Sequence, residues 1–190
     1  MALMAQDTFT HAALTNAFFS TDTWFCRVVC RLDVIGEYAI SFLLLENNGT
    51  QTTLDLGITS GGVLYVTTGQ DIEGTPATTT LTSTFELAEA EAAEILSLYY
   101  YYDHANSELT LARGTTSETQ EATQPYDRTG TNDEQITLGN QCGGQLLSLN
   151  FNDRVLWVNN AGDDALTTIP DVISNHDLTL EDAAWEVWGA

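Results

Sequence analysis

Short apolar runs with a two-residue period, each closed by a turn signal, follow one another from Trp24 to Val158. Trp24-Phe-Cys-Arg-Val-Val-Cys-Arg-Leu-Asp33 is rich in β-branched and aromatic side chains, and Tyr38-Ala-Ile-Ser-Phe-Leu-Leu-Leu45 is a mostly apolar run suited to a buried strand. Glu46-Asn-Asn-Gly49 is a turn, Thr52–Ile58 alternates, Ser60-Gly-Gly62 breaks it, and Val63-Leu-Tyr-Val66 completes a hairpin. Further strands are expected at 95–102, 108–113, 134–139, 145–151 and 154–158. Turns at this spacing predict an all-β, two-sheet antiparallel sandwich. The polar stretches 67–80 and 114–134 are expected to be loops, and the Ala- and Glu-rich segment 86–94 a short helix or a polar connection. A capping-box-like Thr179-Leu-Glu-Asp182 predicts a short C-terminal helix reaching Trp188. The expected core includes Trp24, Phe42, Leu56, Tyr65, Leu98, Leu111, Leu138, Phe151 and Trp157.

Charge narrows the partners. The chain of 190 residues has 27 acidic and 5 basic side chains, a net charge of −22. The bases are Arg27, Arg31, Arg113, Arg128 and Arg154, with no lysine. Phosphate backbones and anionic membranes both need clustered cations, so neither nucleic acid nor a membrane surface is an expected partner. No apolar run reaches the ~18–20 residues that span a bilayer, so membrane insertion is not expected either. An acid excess of this size repels itself in dilute buffer and is screened at ~1 M salt, where the Debye length is ~3 Å. With absent lysine and abundant threonine, it suggests a salt-in halophile or its virus, the competing reading being an ordinary acidic marine or secreted protein. The first residues have no basic region followed by an apolar stretch, so no leader is expected.

Few residues carry the signals of catalysis. No Gly-X-Ser-X-Gly elbow and no phosphate-binding loop occur, and His11, His104 and His176 are scattered. Cys26 and Cys30 lie four residues apart on one strand, so their Cα atoms are ~13 Å apart, too far for a disulfide. They are expected as buried thiols. Residues 99–102 are four consecutive tyrosines, which a period of two must divide between the two faces of a strand. Tyr99 and Tyr101 are candidates for a sugar-stacking or interface surface, and Trp185 and Trp188, three residues apart on the expected helix, for anchoring it to its own sandwich or docking a partner subunit.

The order of these segments resembles the laminin-G-like, concanavalin A-like jelly rolls. Leu54-Asp-Leu-Gly-Ile58 and Gly62-Val-Leu-Tyr-Val66 are similar to paired strands of that family. They are followed by Tyr102-Asp103, Leu109-Thr-Leu-Ala-Arg-Gly114, Ile136-Thr-Leu-Gly-Asn140, and the segment from Gly144 through Arg154-Val-Leu-Trp-Val-Asn-Asn-Ala161. The usual Thr-Trp-His-His-Val entry to the Tyr-Asp strand is absent, and Asn152-Asp153 is an insertion. The resemblance covers residues 8–168 of a single domain, leaving 169–190 as an extension.

The resemblance implies calcium as the cofactor, held at the sandwich rim by oxygen ligands, with Asn150, Asn152 and Asp153 as the first candidate cluster and Asp163 and Asp164 as the second. The Glu-X-Asp-X-Glu pattern of the glucanase branch is absent, so no enzyme is expected. Two roles follow. One is a virion structural or attachment protein of a tailed virus infecting a halophile, assembled in the host cytoplasm as a homo-oligomer with other virion proteins. The other is an extracellular or cell-surface carbohydrate-binding, lectin-like module. A virion appendage that binds host glycans would join the two.

Overall fold

A computed structural model describes the backbone of residues 2–3, 7–10, 23–37, 39–47, 51–72, 75–122, 134–140, 144–152, 154–158, 168–169, 178–179 and 185–186, with side chains within 23–37, 39–44, 54–68, 78–122 and 146–152. The strands are β1 (Ala2–Leu3), β2 (Asp7–Thr10), β3 (Trp24–Leu32), β4 (Ile40–Asn47), β5 (Gln51–Ile58), β6 (Val63–Ile72), β7 (Thr75–Glu86) and β8 (Ile95–Asp103). They continue with β9 (Glu108–Arg113), β10 (Thr116–Glu121), β11 (Glu134–Asn140), β12 (Gly144–Phe151), β13 (Arg154–Val158), β14 (Thr168–Ile169), β15 (Leu178–Thr179) and β16 (Trp185–Glu186). An eight-stranded sheet runs β10-β9-β8-β3-β12-β1-β16, with β13 also on β12, and a six-stranded sheet runs β2-β11-β4-β5-β6-β7. Every pairing is antiparallel. Among the described residues no helix is long and apolar enough to cross a membrane.

The core lies between the two sheets. Trp24, Cys26, Val28, Cys30 and Leu32 of β3 face it, with Leu96, Leu98, Tyr100 and Tyr102 of β8 beside them. Phe42, Leu54, Leu56, Ile58, Leu64 and Val66 come from the other sheet. Trp24 stacks on Phe151 with ring centroids 5.8 Å apart and tilts against Tyr102 at 6.1 Å. Trp24, Phe42, Leu56, Leu98, Leu111 and Phe151 lie in this core as expected; Tyr65 is buried too, but against Gly57 and Asp55 on the other face of its sheet, and the side chains of Leu138 and Trp157 lie outside the described set. Cys26 and Cys30 are free and buried, and burial pushes the Cys26 thiol well up, which leaves it unreactive. Cys142 lies outside the described residues.

Gly57 shows why the Leu54–Ile58 motif carries a glycine. A Cβ there would collide with the Ile40 carbonyl oxygen and come within 2.7 Å of Cε1 of Tyr65. The Tyr65 ring passes over that bare backbone, and its hydroxyl donates to Asp55 Oδ2 at 2.9 Å. Ser41 donates to the other oxygen of Asp55 at 2.5 Å. Tyr100 donates to the Gly57 carbonyl at 3.0 Å, tying the sheets together through the core. Burial first, then the Asp55 charge and hydrogen bond, push the Tyr65 phenol well above the usual tyrosine range.

Three expectations are corrected. Residues 67–80 are not a loop: β6 and β7 pair from Thr67↔Thr80 to Ile72↔Thr75. Threonine is polar but β-branched, so it suits a strand whose outer face is wet. Pro76 is accommodated because β7 ends the six-stranded sheet. The polar stretch after Gly114 likewise forms β10, entered through a φ of +55° at Gly114. Where the expected C-terminal helix is described it is strand instead: Thr179 is in β15, and Trp185–Glu186 pairs with β1, Leu3 opposite Trp185, the rest of that segment lying outside the described residues. A capping pattern ahead of so short a segment stabilises little without packing, and tryptophan favours strands. The 86–94 segment is a three-residue 3₁₀ turn, Glu89–Glu91, whose Glu91 accepts from the Ala88 N–H at 2.7 Å and from Arg113 at 2.7 Å.

One side of the sandwich is latched by polar side chains. Glu118 of β10 accepts from the N–H and the hydroxyl of Thr84 on β7, at 2.7 and 2.5 Å, and Gln120 donates to both the Thr82 carbonyl and Glu118. Slight desolvation works to raise the Glu118 pKa, but the hydrogen bonds from Thr84 and Gln120 outweigh it and hold the carboxyl below its ordinary value. A depressed carboxylate stabilises the fold above its unfolded pKa of ~4.3, and this contribution is lost as pH falls through the folded value.

Two outcomes are expected. Gly57→Ala should cost about 1–3 kcal/mol in urea unfolding, because Tyr65 and the β4 backbone must both shift; an unchanged midpoint would contradict the close approach. Glu118→Gln should be less stable than the wild type at pH 7, and the gap should narrow between pH ~5 and ~3. Parallel stability profiles for the two proteins would remove the latch.

Candidate functional site

The outer face of the eight-stranded sheet gathers what the sequence leaves scattered. Alternation along β3 turns Phe25, Arg27, Val29 and Arg31 outward. Register then sets Phe25 opposite Tyr101, Arg27 opposite Tyr99, Val29 opposite Ser97 and Arg31 opposite Ile95. On the other side of β3, Asn150 is opposite Arg27 and Ser148 opposite Val29. Beyond β8, Tyr101 is opposite Thr110 and Tyr99 opposite Ala112. Thr110 and Thr119 share a hydroxyl hydrogen bond of 2.8 Å across β9 and β10.

Phe25 and Tyr101 are each 40% exposed and Ile95 is 59% exposed, which makes them the large apolar residues left open to water among the described residues. The Arg27 guanidinium carbon sits 5.5 Å from the centre of the Tyr99 ring, within cation–π reach. Tyr99 is therefore partly shielded by an arginine, while Tyr101 is open.

The β12–β13 turn fixes the edge of this platform. Asn152 has a φ of +53°, in the left-handed region that asparagine tolerates better than most residues. Its side-chain oxygen accepts from the Phe25 N–H at 2.9 Å, and its own N–H donates to the Phe25 carbonyl at 2.8 Å. The Asn152 oxygen expected to hold a cation is thus engaged by the backbone under Phe25. Asn150 points from the outer face opposite Arg27, and Asp153, Asp163 and Asp164 lie outside the described residues. Among the described residues no group of three His, Cys, Asp or Glu is placed to hold a metal.

The tyrosine run divides as its period requires. Tyr100 and Tyr102 are buried, whereas Tyr99 and Tyr101 face out. His104 is an exposed turn residue with its ring edge-on to Tyr102 at 6.3 Å. Trp185 is placed on β16, at the end of the strand order β10-β9-β8-β3-β12-β1-β16, away from the platform, and Trp188 lies outside the described residues. Sequence reasoning missed Phe25, Arg27 and Arg31 as site residues. The signal that could have found them is their shared parity with one another on a strand whose other face is apolar.

No family model matches the chain, and no curated protein matches it. Solved structures do. The CBM40 of the Ruminococcus gnavus IT-sialidase, bound to α2,3 sialyllactose, superposes with a TM-score of 0.55 at 15% identity, covering 82% of this chain and 90% of that one. The same module bound to α2,6 sialyllactose gives 0.54 at 16% identity with the same coverage. The leech intramolecular trans-sialidase complexed with 2,7-anhydro-Neu5Ac gives 0.57 at 12% identity, covering 82% of this chain and 25% of that one. With two antiparallel sheets and this likeness, the chain has the concanavalin A-like jelly-roll sandwich fold.

Proposed function

We propose that the chain is a carbohydrate-binding, lectin-like module that binds sugars on the outer face of its eight-stranded sheet. The observation that carries this reading is the open pair Phe25 and Tyr101 on adjacent strands, continued by Tyr99 and Arg27. One face of a sugar ring is lined with C–H groups and packs against aromatic faces, while its hydroxyls need polar partners. Thr110, Thr119, Ser97 and Asn150 supply such partners around the aromatics. The likeness to a module bound to sialyllactose supports the same reading. The virion role expected from the sequence draws on resemblance and acid excess, whereas glycan binding draws also on the arrangement of this face. An extracellular or cell-surface setting accompanies this proposal, and no catalysis is assigned to the face.

The test is a glycan array followed by titration of the best binder. The double variant Phe25→Ala/Tyr101→Ala should lower affinity at least tenfold, about 1.4 kcal/mol. It should cost less than about 1 kcal/mol of fold stability, since both side chains are half-exposed. Chelation with EDTA should leave binding unchanged, because the contacts proposed are aromatic, hydroxyl and guanidinium groups. Absence of any glycan binding, or full affinity in the double variant, would contradict the proposal, and loss with EDTA would move the site to a calcium-bearing rim.

A further inference from the structure

The charges on this face are distributed unlike those on the chain as a whole. The protein has 27 acidic residues against 5 arginines, yet two of those five project from the outer face of one strand, β3. Between the row Phe25–Tyr101–Thr110–Thr119 and the row Arg31–Ile95, the described outward residues of β10, β9, β8, β3 and β12 include no acid. They are Phe, Tyr, Ile, Val, Ala, Thr, Ser, Asn and Arg. Beyond the Phe25–Tyr101 row the face ends in a row of acids, where Asp103 is opposite Glu108 and Glu108 opposite Glu121.

Arg27 is exposed, and Arg31 is half-buried. Among the described residues the ion pair of the molecule is Arg113–Glu91, at 2.7 Å, on a different part of the sandwich. Arg27 instead lies over the Tyr99 ring, a contact that leaves its charge without a carboxylate counterpart. An arginine in that position keeps its forked N–H groups free for a planar anion.

We infer that the ligand of this face is an acidic glycan whose carboxylate is taken by Arg27, with Arg31 available to a second carboxylate farther along the same strand. The inference rests on the carbohydrate-binding reading and specifies its ligand class. Arg27 and Arg31 are four residues apart on one face, so their Cα atoms are ~13 Å apart, wider than one sugar ring. An oligosaccharide aligned with β3 would place one acidic ring at Arg27 and another toward Arg31, with Val29 between them.

The net charge of −22 opposes any anion at a distance. At 0.1 M salt the Debye length is ~10 Å, so only nearby groups count. The Asp103 end of the face is four residues along β8 from Tyr99, ~13 Å from the Arg27 row. Asp33 and Glu94 flank the opposite end, beyond Arg31, which makes Arg27 the stronger of the two anion partners. Among the described residues of this face, Arg27 is thus the cation an acidic glycan meets farthest from an acid.

The test uses the full chain on an array of sialylated and uronic-acid oligosaccharides, each printed beside its methyl ester, with neutral glycans alongside. Esterification removes the charge and leaves the ring. The expected result is binding to a carboxylated member at least tenfold tighter than to its ester. Arg27→Gln should abolish that difference, and Arg27→Lys, which keeps the charge but lacks the fork, should restore part of it. Circular dichroism of both variants checks that they fold. Equal binding to acid and ester, or binding to neutral glycans alone, overturns this inference and leaves the carbohydrate-binding reading intact. Binding to no glycan at all, or a concentration-dependent dimer that Arg27→Gln dissociates, overturns both.

Discussion

The two-residue period of β3, locked between β8 on one side and β12 on the other, sets both faces of the eight-stranded sheet. Inward, the strand contributes Trp24, Cys26, Val28, Cys30 and Leu32, all at most 1% exposed. Outward, it presents Phe25, Arg27, Val29 and Arg31. A slip of one residue against β8 would bury two unpaired guanidinium groups, Arg27 and Arg31, and expose Trp24, Val28 and Leu32, a cost no sheet of this size would bear. The register is therefore heavily over-determined, and the platform inherits its precision from the core beneath it. The paired hydrogen bonds between Asn152 and the Phe25 backbone pin the end of β3 at which the aromatic platform begins.

Much of this was legible along the chain. Trp24–Leu32, Ile95–Asp103 and Glu108–Arg113 alternate so regularly that strand, inner face and outer face all follow from parity, and Tyr99 and Tyr101 separate from Tyr100 and Tyr102 for the same reason. What was not legible has two physical sources. Threonine-rich β7 and β10 look like loops because polarity masks β-branching, and polar groups of the two strands are satisfied by each other across the edge of the sandwich, as Glu118 and Thr84 show. The site itself is non-local. Phe25 meets Tyr101, and Arg27 meets Tyr99, only through pairing of strands more than seventy positions apart, which no local pattern encodes. The expected C-terminal helix failed for a related reason: β1, at the other end of the chain, offers Trp185 a strand partner.

The acid excess and the platform are two sides of one arrangement. The chain is strongly acidic, yet among the described residues the middle of one sheet's outer face carries only uncharged and cationic side chains. A patch of exposed aromatics on a monomeric surface marks an interaction site more often than a packing accident. The absence of lysine sharpens the point, because arginine is the cation that lies flat on an aromatic ring and keeps a forked donor set. The fold alone is shared with proteins of differing activities, so the functional weight falls on these residues.

The most direct measurement is a nuclear magnetic resonance titration of the labelled chain with a glycan that binds it. Shifts in the amide and side-chain signals of Phe25, Arg27, Tyr99 and Tyr101, with those of the six-stranded sheet unmoved, are the result this account requires. Shifts confined to the outer face of the six-stranded sheet, around Asp55 and Tyr65, would contradict it.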